Sequence, residues 1–169
     1  MKSVSVIFLF CAVVSVMVAR QAYADDSSVI LSIIMTPQNT TGLKDDSQVD
    51  MTLSDLQTLP VASFETTTLW TPDKQVFSGV WLATLLQHHG ITSGTLELAA
   101  INDYRVTIPV QDIRTGGALV SYERNGEAMS LRQKGPLWVV YDWDSNPNFR
   151  NETYYSRSIW QLDRIIVTR

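Results

Sequence analysis

Cysteine is almost absent from this chain. The 169 residues include a single one, Cys11, and it lies in an N-terminal apolar segment that we expect to be removed. The mature chain is therefore predicted to have no disulfide, no thiolate nucleophile and no sulfur ligand for a metal. Because apolar residues make up 45% of the sequence, a core can form without disulfides.

Histidine is also scarce, since His88 and His89 are the only two and they are adjacent. Neighbouring residues on a helix point in different directions, so the pair cannot easily share one metal ion. A solvated helix end is the simpler interpretation. A Ser-His-Asp triad would have to use one of these two, and no G-x-S-x-G signature accompanies them. We predict no metal site.

Carboxylates offer no catalytic pair in the sequence pattern. A pair of them could meet in space, as in glycosidases, but the spacing gives no support for one. The aspartates considered are scattered along the chain: Asp103, Asp112, Asp142, Asp144 and Asp163. We therefore predict no catalytic residues.

Positive charge is in the minority, with 13 Lys and Arg against 17 Asp and Glu and a formal net charge of −4. Removal of Lys2 and Arg20 with the N-terminal segment would make the protein more acidic still. An acidic surface argues against nucleic acid and against anionic lipid as partners.

Long apolar runs are missing, apart from Val6 to Val18 near the N-terminus. This run has about 13 residues, whereas a bilayer span requires roughly 20. Lys2 precedes it, and Ala22-Tyr23-Ala24 follows as a cleavage site. We predict a signal peptide at residues 1–24 and a single exported domain at residues 25–169. An uncleaved anchor is one alternative; a lipoprotein is less favoured because Cys11 lies too early.

The remaining pattern predicts many short strands and one clear helix. The helix is expected from Ser78, as N-cap, to His89, with Gly90 ending it. Thr52 and Asp55 predict a capping box on a shorter helix that Pro60 stops, and Asn125-Gly126 predicts a hairpin. Strands are expected at Val29–Met35, Ser63–Trp70, Thr95–Ile101, Arg105–Ile108, Ala118–Arg124, Leu137–Tyr141 and Gln161–Thr168, with a polar loop from Pro37 to Ser47. This is an α+β domain with a mixed or antiparallel sheet and few helices.

Aromatic residues are concentrated near the C-terminus. Rings of this kind, with Arg and Asp nearby, can form a pocket for a flat heterocycle, which stacks on the faces and pairs with the charges. The alternative is core packing, which we favour for Trp138 and Tyr141. The concentrated residues are Trp138, Tyr141, Trp143, Phe149, Tyr154, Tyr155 and Trp160.

Six segments between residues 60 and 168, taken in order, resemble the molybdopterin-binding domain of the sulfite oxidase family, and in particular its small, exported, stand-alone branch. They are the segments Thr68–Thr71, Phe77–Leu82 with Leu85-Leu86, Asn102–Tyr104 with Ile108-Pro109, Asn125-Gly126, Gly135–Val140 and Ser156–Leu162. The resemblance implies the mixed α+β fold of that family and a periplasmic location.

The resemblance also implies which residues would meet a pterin. Trp70 would stack on the ring, and Asn102 and Tyr104 would meet its amide-like edge. Ser156 and Arg157 would bind ring oxygen or side-chain hydroxyls. For each residue the alternative is a structural role, with Trp70 and Trp160 in the core and Arg157 in an ion pair.

Three functions follow from the resemblance. In the full enzymes of the family a cysteine thiolate binds molybdenum, and the mature chain has none, so no molybdenum is expected. The first hypothesis is a non-catalytic pterin-binding protein that reports ligand occupancy to the periplasmic domain of a membrane signalling protein. The alternatives are a molybdopterin-dependent oxidoreductase and an interaction domain without a ligand.

Overall fold

The computed structural model describes residues 27–36 and 47–169. The predicted signal peptide at residues 1–24 lies outside these ranges, and so does most of the predicted loop from Pro37 to Ser47. In the described residues, two five-stranded sheets share one hydrophobic core with short helices. The predicted α+β class, with mixed or antiparallel sheets and few helices, is confirmed.

All regular elements of the described chain are short. The strands are β1 (Val29–Thr36), β2 (Ser47–Thr52), β3 (Ala62–Thr66), β4 (Gln75–Trp81), β5 (Thr95–Ala100), β6 (Arg105–Pro109), β7 (Leu119–Arg124), β8 (Glu127–Ala128), β9 (Trp138–Val140) and β10 (Leu162–Thr168). The α-helices are α1 (Leu53–Gln57), α2 (Leu82–His88) and α3 (Glu152–Arg157). Single 3₁₀ turns lie at Val110–Asp112, Leu131–Gln133 and Pro147–Phe149.

The first sheet has the strand order β2-β1-β10-β5-β6. β1 and β10 are parallel, whereas the other neighbours in this sheet are antiparallel. Successive side chains of a strand point to opposite faces. Leu31 and Ile33 of β1 are fully buried while Ser32 between them is not, and β10 buries Ile165 and Val167 in the same way. One face of this sheet therefore packs on the core.

The second sheet has the order β3-β4-β7-β8, and β9 also pairs with β7. β8 and β9 lie along the same edge of β7, near Arg124 and Leu119 respectively. Phe77 of β4 and Trp138 of β9 are fully buried, with ring centroids 5.3 Å apart in an edge-to-face contact. The second sheet therefore contributes large aromatic side chains to the shared core.

A short segment after α3 joins the second sheet to the first. Trp160 forms an antiparallel bridge with Trp138 of β9, and the N–H of Val139 donates to the carbonyl of Ile159 at 2.8 Å. β10 of the first sheet then begins at Leu162. This segment passes between the sheets and lines the candidate site.

The predicted helix from Ser78 to His89 is wrong in its first turn. Ser78 is part of β4 rather than a helix N-cap. Gly79 lies so close to β7 that a Cβ added there would come 2.1 Å from the Val120 carbonyl oxygen. That close approach of two strands involves a distant part of the chain, which periodicity within the segment cannot show.

The helix that does form, α2, begins at Leu82. The N–H of Leu82 donates to the carbonyl of Ala118 at 2.9 Å, which satisfies one of the unpaired donors of a helix start. Gly90 ends the helix as predicted, with a φ of 65° that suits a residue without a Cβ.

Two local predictions near the sheet ends are confirmed. The capping box of α1 is present, because Thr52 Oγ1 accepts from the N–H of Asp55 at 3.2 Å and the Asp55 carboxylate accepts from the N–H of Thr52 at 2.8 Å. Asn125 and Gly126 have φ of 56° and 78° and connect β7 to β8 as a hairpin.

Candidate functional site

One cavity lies among the loop before β4, the end of β5, the corner between β5 and β6, and the chain from α3 to β10. Its volume is about 390 Å³, which is within the range of small-molecule sites. The lining residues are Trp70, Ala100, Asn102, Tyr104, Tyr155, Ser156, Ser158, Ile159 and Trp160. We call Trp70, Tyr155 and Trp160 the aromatic wall, and Asn102, Tyr104, Ser156 and Ser158 the polar edge.

Four of the five predicted binding residues lie in this cavity. Trp70, Asn102, Tyr104 and Ser156 come from three separate parts of the chain and meet around it. Arg157 is the exception. That these residues bind a ligand remains a prediction, whereas their meeting around one cavity is a property of the fold.

Arg157 points into a different environment. Its guanidinium pairs with the Asp112 carboxylate at 2.9 Å, and its side chain is only 12% exposed. It also lies over the ring of Tyr154, 5.7 Å from the centroid. Consecutive residues of a helix are rotated by about 100°, so Arg157 leaves the cavity side where Ser156 remains. The structural ion pair, the alternative considered for this arginine, is the contact observed.

Trp70 is the centre of the aromatic wall. It is half-buried and makes edge contacts with four rings, at centroid distances between 5.5 and 6.4 Å. The four partners are Trp138, Trp143, Tyr155 and Trp160. Trp70 therefore packs on the core with part of its ring and lines the cavity with another part, which unites the two roles considered for it.

Hydrogen bonds from near and distant parts of the sequence hold the Trp70 loop in position. The N–H of Trp70 donates to Thr68 Oγ1 at 3.0 Å. Asp144 accepts two hydrogen bonds from Thr67, from its N–H at 2.9 Å and from its hydroxyl at 2.8 Å. Asp144 thus anchors the chain three residues before the tryptophan, across 77 residues of sequence.

The environment of Asp144 favours its ionised form. The hydrogen bonds from Thr67 lower the pKa of this carboxyl, and the nearby cations Lys74 and Arg150 lower it further. Arg150 lies 3.0 Å away and Lys74 3.7 Å away. At neutral pH the anchor of the Trp70 loop is therefore a carboxylate.

The other rings of the wall come from α3 and the segment after it. Tyr155 and Trp160 contact Trp70 at interplanar angles of 89° and 67°. The sequence predicted neither as a binding residue: Tyr155 appeared as a member of the aromatic-rich region, and Trp160 was also considered for the core. Asn151 caps α3 by accepting from the N–H of Thr153 at 3.0 Å, which sets where the helix begins.

Asn102 and Tyr104, both exposed, contribute the strand corner to the polar edge. They flank Asp103, whose φ of 62° makes the tight corner between β5 and β6. Asn102 Oδ1 accepts from the N–H of Tyr104 at 3.2 Å. Within the described residues, the Asn102 amide donates no hydrogen bond, so both of its N–H groups are free for a ligand.

Ser156 and Ser158 complete the polar edge, and Tyr104 connects it to α3. The Tyr104 hydroxyl donates to the carbonyl of Ser156 at 3.3 Å, which links the strand corner to α3. The Ser156 hydroxyl donates to Thr153 and the buried Ser158 hydroxyl to Tyr154, at 2.8 and 2.7 Å. Because both serine protons are used, these oxygens offer a ligand only acceptor lone pairs.

Among the residues that the structure describes, none that lines the cavity carries a thiol, imidazole, carboxylate, ammonium or guanidinium group. Sequence reasoning did not identify Ala100, Ser158 and Ile159, which are small or apolar and give no chemical signal of their own. The wall and edge therefore suit stacking and neutral hydrogen bonding.

Metal-ligating side chains do not converge in the described part of the chain, where no three His, Cys, Asp or Glu residues form a candidate site. The His88 and His89 rings meet at right angles at the end of α2, and burial lowers the pKa of His89, with a smaller contribution from His88. The amide, hydroxyl and indole groups of the cavity do not fit a molybdenum centre that takes a sulfur ligand from the protein.

No helix among residues 27–36 and 47–169 has the length and apolar character needed to cross a bilayer.

Comparison with known proteins identifies a fold. No protein-family model matches the chain, and no curated protein matches its sequence. The crystal structure of the sulfane dehydrogenase SoxCD from Paracoccus pantotrophus is similar, with a TM-score of 0.55 and 13% sequence identity. The match covers 82% of this chain but only 38% of the SoxCD chain. This likeness shows the fold alone, which is distantly sulfite oxidase-like.

Proposed function

We propose that this protein is a non-catalytic binding protein for a pterin or a closely similar flat heterocycle. The cavity carries the proposal, because its wall is made of indole and phenol rings and its polar groups are uncharged. Aromatic faces bind planar rings, while a few fixed polar groups set the orientation. The sulfite oxidase-like fold and the sequence resemblance favour a pterin among such rings.

A pterin would contact the two sides of the cavity in different ways. Its ring would stack on Trp70 or Trp160, and its amide-like edge would meet the Asn102 side chain. The free N–H groups of Asn102 match the carbonyl oxygen of such an edge. The hydroxyl oxygens of Ser156 and Ser158 would accept from ring N–H groups.

The cavity lining supports a binding role over catalysis. Among the described residues that line it there is no thiol, imidazole, carboxylate or ammonium group, and both serine hydroxyls donate their protons to backbone carbonyls. The oxidoreductase alternative requires a bound molybdenum, and the only cysteine of the chain, Cys11, lies in the predicted signal peptide. Metal analysis of protein from its own host separates the two functions.

We also propose export to the periplasm and transfer of ligand occupancy to a membrane signalling protein. The support is the N-terminal sequence pattern and the family resemblance. A binder without catalysis needs a readout, and partner affinity that depends on ligand is the simplest one. Cell fractionation tests the location. Crosslinking of a purified candidate partner domain, with and without added pterin, tests the readout; equal crosslinking in both conditions would contradict it.

The first experiment examines what the protein carries. Protein purified from its native compartment is denatured, and the released material is analysed for pterin fluorescence and for molybdenum. Pterin without molybdenum is the expected result. Pterin with molybdenum would favour the oxidoreductase. If neither is found and added reduced pterins do not bind, the interaction domain without a ligand is the better description.

A pair of tryptophan variants then locates the site. Trp160→Ala is expected to weaken pterin binding about tenfold or more, the usual effect of removing one stacking ring. Trp81→Ala is the matched control, because Trp81 is also half-buried but stacks on Phe64, 5.8 Å away, and does not line the cavity. Equal affinities for the two variants would place the pterin elsewhere.

A further inference from the structure

A lysine outside the cavity covers one face of a tryptophan that lines it. The Nζ atom of Lys134 lies 4.0 Å from the centroid of the Trp160 ring and 5.6 Å from that of Trp138. At 4.0 Å an ammonium sits directly on the ring face. Trp160 lines the cavity whereas Lys134 does not. A ligand can therefore contact Trp160 only through the surface that the lysine leaves uncovered.

The backbone around Lys134 is tied to the backbone around Trp160. Lys134 has a φ of 76° and ends the 3₁₀ turn at Leu131–Gln133. Its carbonyl accepts from the N–H of Gln161 at 3.0 Å, and the Gln161 side chain donates to the carbonyl of Leu131 at 2.9 Å. Two hydrogen bonds thus hold the lysine's turn to the residue directly after the tryptophan, so the fold keeps the base of the Lys134 side chain beside Trp160.

The ring face is also what compensates the charge of Lys134. Among residues 27–36 and 47–169, no carboxylate forms an ion pair with it. Burial lowers the pKa of its ammonium, and the positive charge of Arg124 lowers it further. A partly desolvated cation needs a compensating contact, and the rings of Trp160 and Trp138 supply it.

We propose that Lys134 is a positioning residue of the binding site, whose ammonium holds the Trp160 ring in the orientation that the ligand contacts. This inference rests on the proposed binding function. Without the ammonium, the half-buried indole gains rotamer freedom, and ligand binding has to order it again at a cost in affinity.

Three variants distinguish the effect of the contact between the Lys134 ammonium and the Trp160 ring from the effect of net charge. Lys134→Met keeps the apolar stem and removes the ammonium, and Lys134→Arg restores a cation over the ring. Arg132→Met is the matched control, since it removes one positive charge from an exposed residue in the same turn. For a reduced pterin, measured by calorimetric titration, we expect about fivefold weaker binding in Lys134→Met, with affinity regained in Lys134→Arg and unchanged in Arg132→Met.

A second measurement reports on the orientation and motion of the Trp160 ring in the absence of ligand. In protein labelled with 5-fluorotryptophan, the Trp160 signal is assigned by its loss in Trp160→Phe. We expect this ¹⁹F signal to shift and broaden in Lys134→Met and to regain its wild-type form in Lys134→Arg. A lysine that served only folding would leave the width of this signal unchanged in folded protein, because loss of a nearby charge shifts a ring resonance without adding ring motion. Lys134→Gln is a second neutral variant if the methionine variant does not fold.

The outcomes test the role of Lys134 separately from the proposed pterin-binding function. Wild-type affinity and an unchanged Trp160 signal in Lys134→Met overturn the role of the lysine, and so does an equal loss of affinity in Arg132→Met. If wild-type protein binds no pterin, the proposed function fails, and with it any role of Lys134 in binding. That result is distinct from normal binding that does not respond to the lysine, which overturns this inference alone.

Discussion

The two sides of the cavity are held in place in different ways. On the aromatic wall, Trp70 contacts four other rings, two of which, Trp138 and Trp143, are buried. On the polar edge, Asn102 is exposed, and its side chain makes one hydrogen bond in the described structure, to the N–H of Tyr104. The wall is continuous with the core, whereas Asn102 is attached to its own turn.

This difference teaches which residues can be changed without disturbing the fold. A ring that packs on the core contributes to folding through its buried area as well as to the site through its exposed part. An exposed amide at a strand corner contributes little to folding. Substitutions in the wall should therefore change stability and binding together, and substitutions at Asn102 should change binding alone.

The largest effect is expected for Trp70→Ala. We expect the free energy of unfolding to fall by about 3 kcal/mol, near the lower limit for truncating a buried tryptophan because Trp70 is half-buried. Pterin affinity should fall about tenfold or more. Urea unfolding and fluorescence titration measure the two quantities.

Trp81→Ala is the control for this change. It should lower stability and leave pterin affinity at the wild-type value, because Trp81 lies outside the cavity. Unchanged pterin affinity in Trp70→Ala would show that this residue of the aromatic wall does not contribute to pterin binding.

The next effect is expected for Asn102→Asp, which keeps the acceptor for the N–H of Tyr104 and removes the amide donor. Affinity should fall by about tenfold, the cost of losing one hydrogen bond and placing an acceptor opposite an acceptor. The unfolding midpoint should stay near that of the wild type. Asn148→Asp, an exposed change of the same charge, controls for net charge. A large loss of stability in Asn102→Asp would contradict the independence of this residue from the core.

A smaller effect, dependent on pH, is expected for the anchor of the Trp70 loop. The pKa of Asp144 is lowered by its hydrogen bonds in the folded protein, so its stabilisation is present above the unfolded value of about 3.9 and is lost as pH falls through the folded value. Asp144→Asn should cost about 1 kcal/mol at neutral pH. It should also reduce the loss of stability on acidification below about pH 4.

Thermal unfolding across pH measures this effect. Asp50→Asn is the comparison, because hydrogen bonds from Ser32 and Gln48 lower the pKa of Asp50 at the first sheet, away from the cavity. It should alter acid sensitivity without changing pterin affinity. If Asp144→Asn has wild-type pterin affinity as well, the anchor contributes to folding only.

The smallest effect on binding is expected for Arg157→Met. Since the guanidinium pairs with Asp112 outside the cavity, affinity should change by less than about twofold, while stability falls by up to about 1 kcal/mol. A loss of affinity with little loss of stability would instead favour the sequence-based prediction that Arg157 contacts the ligand.

Local elements were the most predictable part of the fold. The capping box of Thr52 and Asp55, the Asn125-Gly126 hairpin and the strand beginning at Val29 are specified by residues within a few positions of one another. The prediction of a helix from Ser78 was wrong in the first turn. That segment is part of β4, whose conformation depends on pairing with β7, about forty residues further along.

The site was predictable in part, and for a different reason. Family resemblance, not periodicity, singled out Trp70, Asn102, Tyr104 and Ser156, which the fold brings to one cavity. The same resemblance also singled out Arg157, whose guanidinium pairs with Asp112 outside this cavity. The direction of a side chain on a helix of six residues is set by what packs against it, and here that is Asp112 from another part of the chain.

The amino-acid sequence by itself determined the chemistry available to this protein: no cysteine outside the N-terminal segment, two adjacent histidines, and a C-terminal region rich in tryptophan and tyrosine. Tertiary structure decided which rings enclose a cavity and which fill the core, and that Lys134 lies on Trp160. The physical reason is the separation in sequence between the residues that interact. Caps and tight turns close within a few residues, whereas a cavity exists only after distant segments have packed, and its lining depends on every one of them.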